Sequence, residues 1–124
     1  MRYLSSLIAA TLVMLGCQAQ LLALTPEEAA QHIGKEGAVN GLAVQVSQSS
    51  GNVYVNVGAK FPNQSFTAFV AKEDVDKVGL DYLKSMEGKT VSVVGRITEV
   101  KGKPQIQVTK KDQIISVLPA KQSS

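Results

Sequence analysis

Beyond residue 38 the chain alternates between apolar and polar positions. Leu42, Val44 and Val46 alternate with Ala43, Gln45 and Ser47, a period of two that predicts a strand over 39–47. The polar run Ser47-Gln48-Ser49-Ser50-Gly51-Asn52 reads as a turn. Val53, Val55 and Val57 then alternate with Tyr54 and Asn56 and predict a second strand. A loop over 58–64 contains Phe61-Pro62-Asn63-Gln64, and 65–71 predicts a third strand with Phe66, Ala68 and Val70 on one face and Thr67 and Phe69 on the other. The period changes at Lys72-Glu73-Asp74. Val75, Val78, Tyr82 and Met86 recur at helical spacing with Leu83 beside them, and Gly79 divides the stretch into a turn and a short helix closed by Gly88. Val91 and Val93 open a fourth strand that passes Gly95 and runs to Val100; Lys101-Gly102-Lys103-Pro104 is a tight basic turn. Ile106 and Val108 alternate with Gln105, Gln107 and Thr109 in a fifth strand, and Ile114, Ile115, Val117 and Leu118 extend the sheet. Val44, Val55, Val93 and Ile106 are the expected core positions.

Two features sharpen this pattern. Gly34-Lys35 is followed by Val39 and Gly41, and Gly88-Lys89 by Val93 and Gly95, at identical spacing. A glycine inside a strand marks a bulge, a bend or a close approach, so two such strands indicate a coiled barrel rather than a flat sheet. Ahead of the first motif, Thr25-Pro26-Glu27-Glu28 is a helix start: Thr25 caps, Pro26 suits the first turn and Glu28 completes a capping box. Ala29, Ala30, His32 and Ile33 continue that helix to Gly34.

The expected order is strand, strand, strand, helix, strand, strand. That is the order of the oligonucleotide/oligosaccharide-binding (OB) fold, a mainly β, five-stranded Greek-key barrel with a helix between strands three and four. The short N-terminal helix is added to it. The sequence also resembles exported bacterial OB-fold domains grouped with nucleic-acid-binding proteins. The resemblance lies in Gly34-Lys35, the Gly51-to-Gly58 hairpin, Phe61-Pro62-Asn63-Gln64-Ser65-Phe66-Thr67, the stretch from Gly88-Lys89 to Gly95, and Gly102-Lys103-Pro104-Gln105-Ile106. The resemblance covers residues from about 25 to 117, and one OB-fold domain is expected over 25–118; the strand order and the repeated Gly-Lys motif set the barrel at about 36–110, and 119–124 reads as a loose tail. These motifs specify strands and turns, not chemistry.

The first residues have a different character. Arg2 is the only charge before Glu27, and the apolar run from Leu7 to Leu15 is far shorter than the roughly 20 residues that span a bilayer. A positive start, a short apolar run and small residues describe an export signal over 1–19. Cys17, the only cysteine, follows Gly16 at the place where bacterial lipoprotein signals, which this segment resembles, carry the lipidated cysteine. Met14 and Leu15 depart from that pattern. A lipoprotein cut before Cys17 and an ordinary secretory cut after Ala19 both fit, with an uncleaved anchor reaching Leu24 as a third option. The expected location is periplasmic or membrane-anchored, alternatively secreted. Membrane contact then comes only through a lipid on Cys17, and a lone cysteine excludes a disulfide framework.

The net charge of +3 permits contact with polyanions without demanding it. From Lys89 to Lys111, six basic residues face one acid, Glu99. OB modules bind single strands by stacking bases on exposed aromatics while a basic groove follows the phosphates. Tyr54, out of phase with Val53, Val55 and Val57, is the stacking candidate, and Phe69, opposite in phase to Phe66, is a second on the neighbouring strand. Lys60, Arg96, Lys101 and Lys103 are the candidate backbone contacts. Each has a plainer alternative: Tyr54 can simply cover a strand, and lysines can guard a sheet edge. Catalytic constellations are lacking. His32 is the only histidine and has no cysteine partner for a zinc site, nor a partner set for a serine triad. Secreted nucleases on an OB scaffold, which this topology resembles, hold phosphate with arginines; here only Arg96 outlives removal of the signal and lysine does not reproduce the bidentate grip, which argues against a nuclease. The expectation is a binding module, not an enzyme, with no metal and no cofactor. Its ligand is single-stranded nucleic acid or another extended anion; the alternative is an envelope protein whose barrel docks another protein or a glycan.

Overall fold

The computed structural model describes residues 21–117. Seven strands and three short α-helices follow one another: β1 (Leu22–Leu24), α1 (Pro26–Ala29), β2 (Glu36–Ser49), β3 (Asn52–Val57), β4 (Phe66–Val70), α2 (Val75–Val78), α3 (Leu80–Lys84), β5 (Thr90–Val100), β6 (Lys103–Gln107) and β7 (Ile114–Ser116). The sheet order is β1-β2-β3-β4-β6-β5-β7, and β2 also pairs with β5. That last pairing closes β2-β3-β4-β6-β5 into a ring. All its ladders are antiparallel except β4 with β6. A closed five-stranded ring with one parallel pair, and helices between its third and fourth strands, is the OB-fold barrel.

The repeated Gly-Lys motif builds the closing ladder. Val39 lies opposite Val93 and Gly37 opposite Gly95. Each motif grips the strand that follows the other. The Gly34 N–H donates to the Ile97 carbonyl (2.7 Å) and the Ile97 N–H to the Lys35 carbonyl (2.9 Å). At the other end the Gly88 N–H donates to the Ala43 carbonyl (2.7 Å) and the Ala43 N–H to the Lys89 carbonyl (2.8 Å). The repeat is therefore a local two-fold relation between two antiparallel strands, each clamped at both ends.

The mid-strand glycines admit close neighbours. A Cβ on Gly41 would lie 2.6 Å from Pro26 Cγ and 2.7 Å from Val57 Cγ1; one on Gly95 would lie 2.7 Å from Ile106 Cγ2. At these points α1 packs on β2 and β5 crosses over β6, contacts that no side chain would permit.

The core is aliphatic: Val39, Val53, Val55, Val57, Val91, Val93, Ile97, Ile106 and Ile114 are buried around Phe66. Val78, Leu83 and Met86 join them from α2, α3 and the turn that follows. Tyr82, from α3, donates its hydroxyl to the Ile114 carbonyl (2.6 Å), tying this segment to β7. Burial raises its phenol above the ordinary value.

Three expectations are corrected. Val44 is only half-buried and Leu42 is exposed, whereas Ala43 is fully buried. The alternation in β2 runs through Val39, Gly41 and Ala43, then shifts phase. Ala43 pairs with Val57 but Gln45 pairs with Asn56, leaving Val44 as the extra residue of a β-bulge. Helix α1 ends at Ala29 rather than continuing to Ile33, because Gly34 and Lys35 are already engaged with Ile97 and the chain must turn into β2. The capping box itself is formed. Strand β1, not anticipated, lies parallel to the first part of β2. Val55, Val93 and Ile106 are buried as expected. The segment over 1–19, including Cys17, and the tail over 119–124 lie outside the described residues.

Candidate ligand-binding groove

Outward-facing residues align in two rows across the barrel. One row runs Gln45, Asn56, Thr67, Gln105; the other runs Ser47, Tyr54, Phe69, Gln107. Only the bulge at Val44 puts Gln45 and Ser47 on this face. The first row, with Ser47 and Tyr54 of the second, floors a groove of about 730 Å³, walled by the β3–β4 loop through Phe61, Pro62 and Gln64 and by the β5–β6 hairpin through Val100, Lys101, Lys103 and Pro104. The hairpin turn places Lys101 (φ 52°) and Gly102 (φ 82°) in the left-handed region, the type I′ geometry that suits two-residue hairpins. Two lysines and no acidic side chain line the groove.

Tyr54 is half-buried and packs against Phe69, with ring centroids 5.2 Å apart and planes inclined by 55°. This tilted pair holds the Tyr54 ring at the groove.

Beneath it a chain of hydrogen bonds has only one possible polarity. The Phe61 N–H can only donate, so Gln45 turns its Oε1 to it (3.0 Å). That same oxygen accepts from Asn56 Nδ2 (2.9 Å). Asn56 Oδ1 therefore faces Thr67 and accepts from its hydroxyl (3.1 Å). Thr67 Oγ1, having donated, accepts from Gln64 Nε2 (3.3 Å). Asn56, Thr67 and Gln64 are all buried. The Oε1 of Gln64 ends the chain. It is the one buried side-chain polar atom among the described residues that has no hydrogen-bond partner, although such groups are nearly always paired.

The expected site residues do not all gather here. Tyr54, Lys101 and Lys103 line the groove. Lys103 is not a free cation: its Nζ donates to the Pro62 carbonyl (2.7 Å) and the Gln64 carbonyl (2.9 Å). Lys60 is exposed in the β3–β4 loop and is not among the lining residues. Arg96 lies on the β2–β5 ladder opposite Glu36 and donates to the Gly34 carbonyl (2.9 Å), outside the groove. Phe61 escapes a sequence reading. It sits in a loop that reads as turn-forming, as does Gln64, whereas Gln45 falls on the polar face of the alternation, where the bulge at Val44 keeps it. Among the described residues no group of three or more His, Cys, Asp or Glu could hold a metal ion, and no helix is long and apolar enough to cross a membrane.

No family model matches the chain, and no curated protein does. Solved structures do. A provisionally assigned aspartyl-tRNA synthetase from Leishmania major Friedlin superposes with a TM-score of 0.55 and 12% identity, over 86% of this chain and 22% of that one. Asparaginyl-tRNA synthetase from Pyrococcus horikoshii gives 0.52 at 15% identity, over 76% of this chain and 22% of that one. An OBody, AM1L10, bound to hen egg-white lysozyme gives 0.52 at 15% identity, over 81% of this chain and 96% of that one. The chain spans about a fifth of the length of the two synthetases. At these identities the likeness bears on the fold, and it agrees with an OB barrel.

Proposed function

We propose that this protein is a non-enzymatic binding module that takes single-stranded nucleic acid in the groove over β2, β3 and β4, outside the cytoplasm. The observation that carries the reading is the groove itself. An aromatic ring stands on a polar floor, beside two lysines and with no carboxylate among the lining residues, which is the combination that stacks bases and tolerates phosphates. Tyr54 stacks a base and Lys101 contacts a phosphate.

The test is fluorescence anisotropy of a labelled single-stranded oligonucleotide across a salt series. Affinity falls as salt rises, and Lys101→Gln reduces the slope of log K against log salt by about 0.7, the value for one single-strand phosphate contact. No binding at low salt would sink the reading.

A second reading has its own support. The floor is rich in neutral amides (Gln45, Asn56, Gln105), which suit the hydroxyls of a glycan, and the OBody is itself bound to a protein. A glycan or protein partner in the envelope would bind with little dependence on salt.

The external location rests on Arg2, the short apolar run and Cys17. Mass spectrometry of the native protein is expected to show loss of the first sixteen to nineteen residues. A lipid on Cys17 marks the lipoprotein form, and a free N-terminus at Gln20 marks plain secretion. An intact Met1 in the cytoplasm would refute both.

A further inference from the structure

Phe61 is 69% exposed, the most open of the large apolar side chains described. A single exposed apolar residue is ordinary, but this one is unusual in how its backbone is held. The Phe61 N–H donates to Gln45 Oε1 at 3.0 Å. On its C-terminal side the carbonyls of Pro62 and Gln64 both accept from Lys103 Nζ, at 2.7 and 2.9 Å. The Asn63 N–H closes the loop on the Lys60 carbonyl at 2.8 Å. Lys103 reaches these carbonyls from β6, across the groove, so its cation stitches one wall to the other. A loop with a rigid backbone and a free aromatic side chain has lost its ordering entropy before any ligand arrives, the condition under which an exposed ring adds most to affinity.

We propose that Phe61 is a second stacking platform of the groove and that Lys103 is the residue that positions it, rather than a contact to phosphate. The inference rests on the nucleic-acid reading above. Tyr54 rises from the sheet and Phe61 from the loop, both lining the same groove. A single strand laid over the polar floor has a ring available on each. The Lys103 ammonium, with two of its three N–H donors spent on carbonyls, is a cross-brace whose charge is partly satisfied within the protein.

The roles separate in one experiment on the full chain, using fluorescein-labelled dT12 and four proteins: wild type, Phe61→Ala, Lys103→Met and the double variant. Phe61→Ala is expected to weaken binding roughly tenfold or more, with an unchanged salt slope and an unchanged melting temperature, since the ring is exposed. Lys103→Met is expected to weaken binding by a similar factor, again with little change in slope. In the Phe61→Ala background it is expected to cost almost nothing further, because the brace acts through the ring it positions. If Lys103→Met proves poorly folded, the Phe61→Ala result alone still decides whether the ring binds. Wild-type binding with Phe61→Ala unaffected would overturn the inference and leave the nucleic-acid reading standing. A slope reduced by about 0.7 in Lys103→Met would make Lys103 a phosphate contact and overturn its positioning role. Absence of wild-type binding would overturn both the reading and the inference built on it.

Discussion

Phe66→Ala is expected to lower the unfolding free energy by about 3–5 kcal/mol, a large share of the roughly 5–15 kcal/mol that a small domain possesses. Phe66 is fully buried and heads the fully buried side chains in volume. It lies opposite Val57 at the end of the β3–β4 ladder. Its neighbours in the core are mostly valine and isoleucine. β-Branched side chains have few rotamers with which to refill a cavity, so the void left by the ring persists and its lining loses contacts outright. Urea unfolding measures the effect as a lower midpoint with little change in slope. Val44→Ala is the useful comparison. Val44 is half-buried at the bulge, so its loss is expected to cost less. A Phe66→Ala variant as stable as the wild type would mean that β4 does not face the barrel interior as described.

Tyr54→Ala is expected to weaken single-strand binding by about one to two orders of magnitude, since stacking on an aromatic contributes roughly 1–3 kcal/mol per base. The ring sits beside Phe69 on the adjacent strand and lines the same groove as the polar row, and a stacking contact neutralises no phosphate. The salt slope should therefore stay where it was, while Lys101→Gln flattens the slope. Tyr54→Phe keeps the π-face and is expected to bind almost as the wild type does. The two kinds of effect differ in form, and one titration series distinguishes them. Equal affinity of Tyr54→Ala and wild type for the oligonucleotide would remove Tyr54 from the interface.

Much of the architecture is legible along the chain. Alternation of apolar and polar positions places β3, β4, β5 and β6 within a few residues, because a strand with one buried face must alternate. Thr25, Pro26 and Glu28 mark the start of α1, because capping is a local interaction between residues three apart. The paired Gly-Lys motifs signal two special strands. Their mutual clamping is not readable: Gly34 meets Ile97 and Gly88 meets Ala43, contacts set by barrel closure over more than forty residues of separation.

The groove was less legible, for a physical reason. Its floor depends on the bulge at Val44, which reverses the phase of β2 and turns Gln45 and Ser47 outward. The alternation sets Gln45 and Ser47 on the polar face, but the bulge that keeps them there while Ala43 turns inward is not readable from it. Its walls depend on loops whose positions follow from Lys103 and Gln45 reaching distant carbonyl and amide groups. Residue type identified Lys60, Arg96, Lys101 and Lys103 equally as cations. Tertiary structure separated them: Arg96 to the Gly34 carbonyl, Lys103 to the loop, Lys60 to an exposed part of that loop, and Lys101 to the open rim. Local periodicity and capping, which act over a few residues, determined the strands, the turns and the order that makes an OB barrel. Closure of the ring, which brings residues far apart in sequence into one row, alone decided which side chains share the groove.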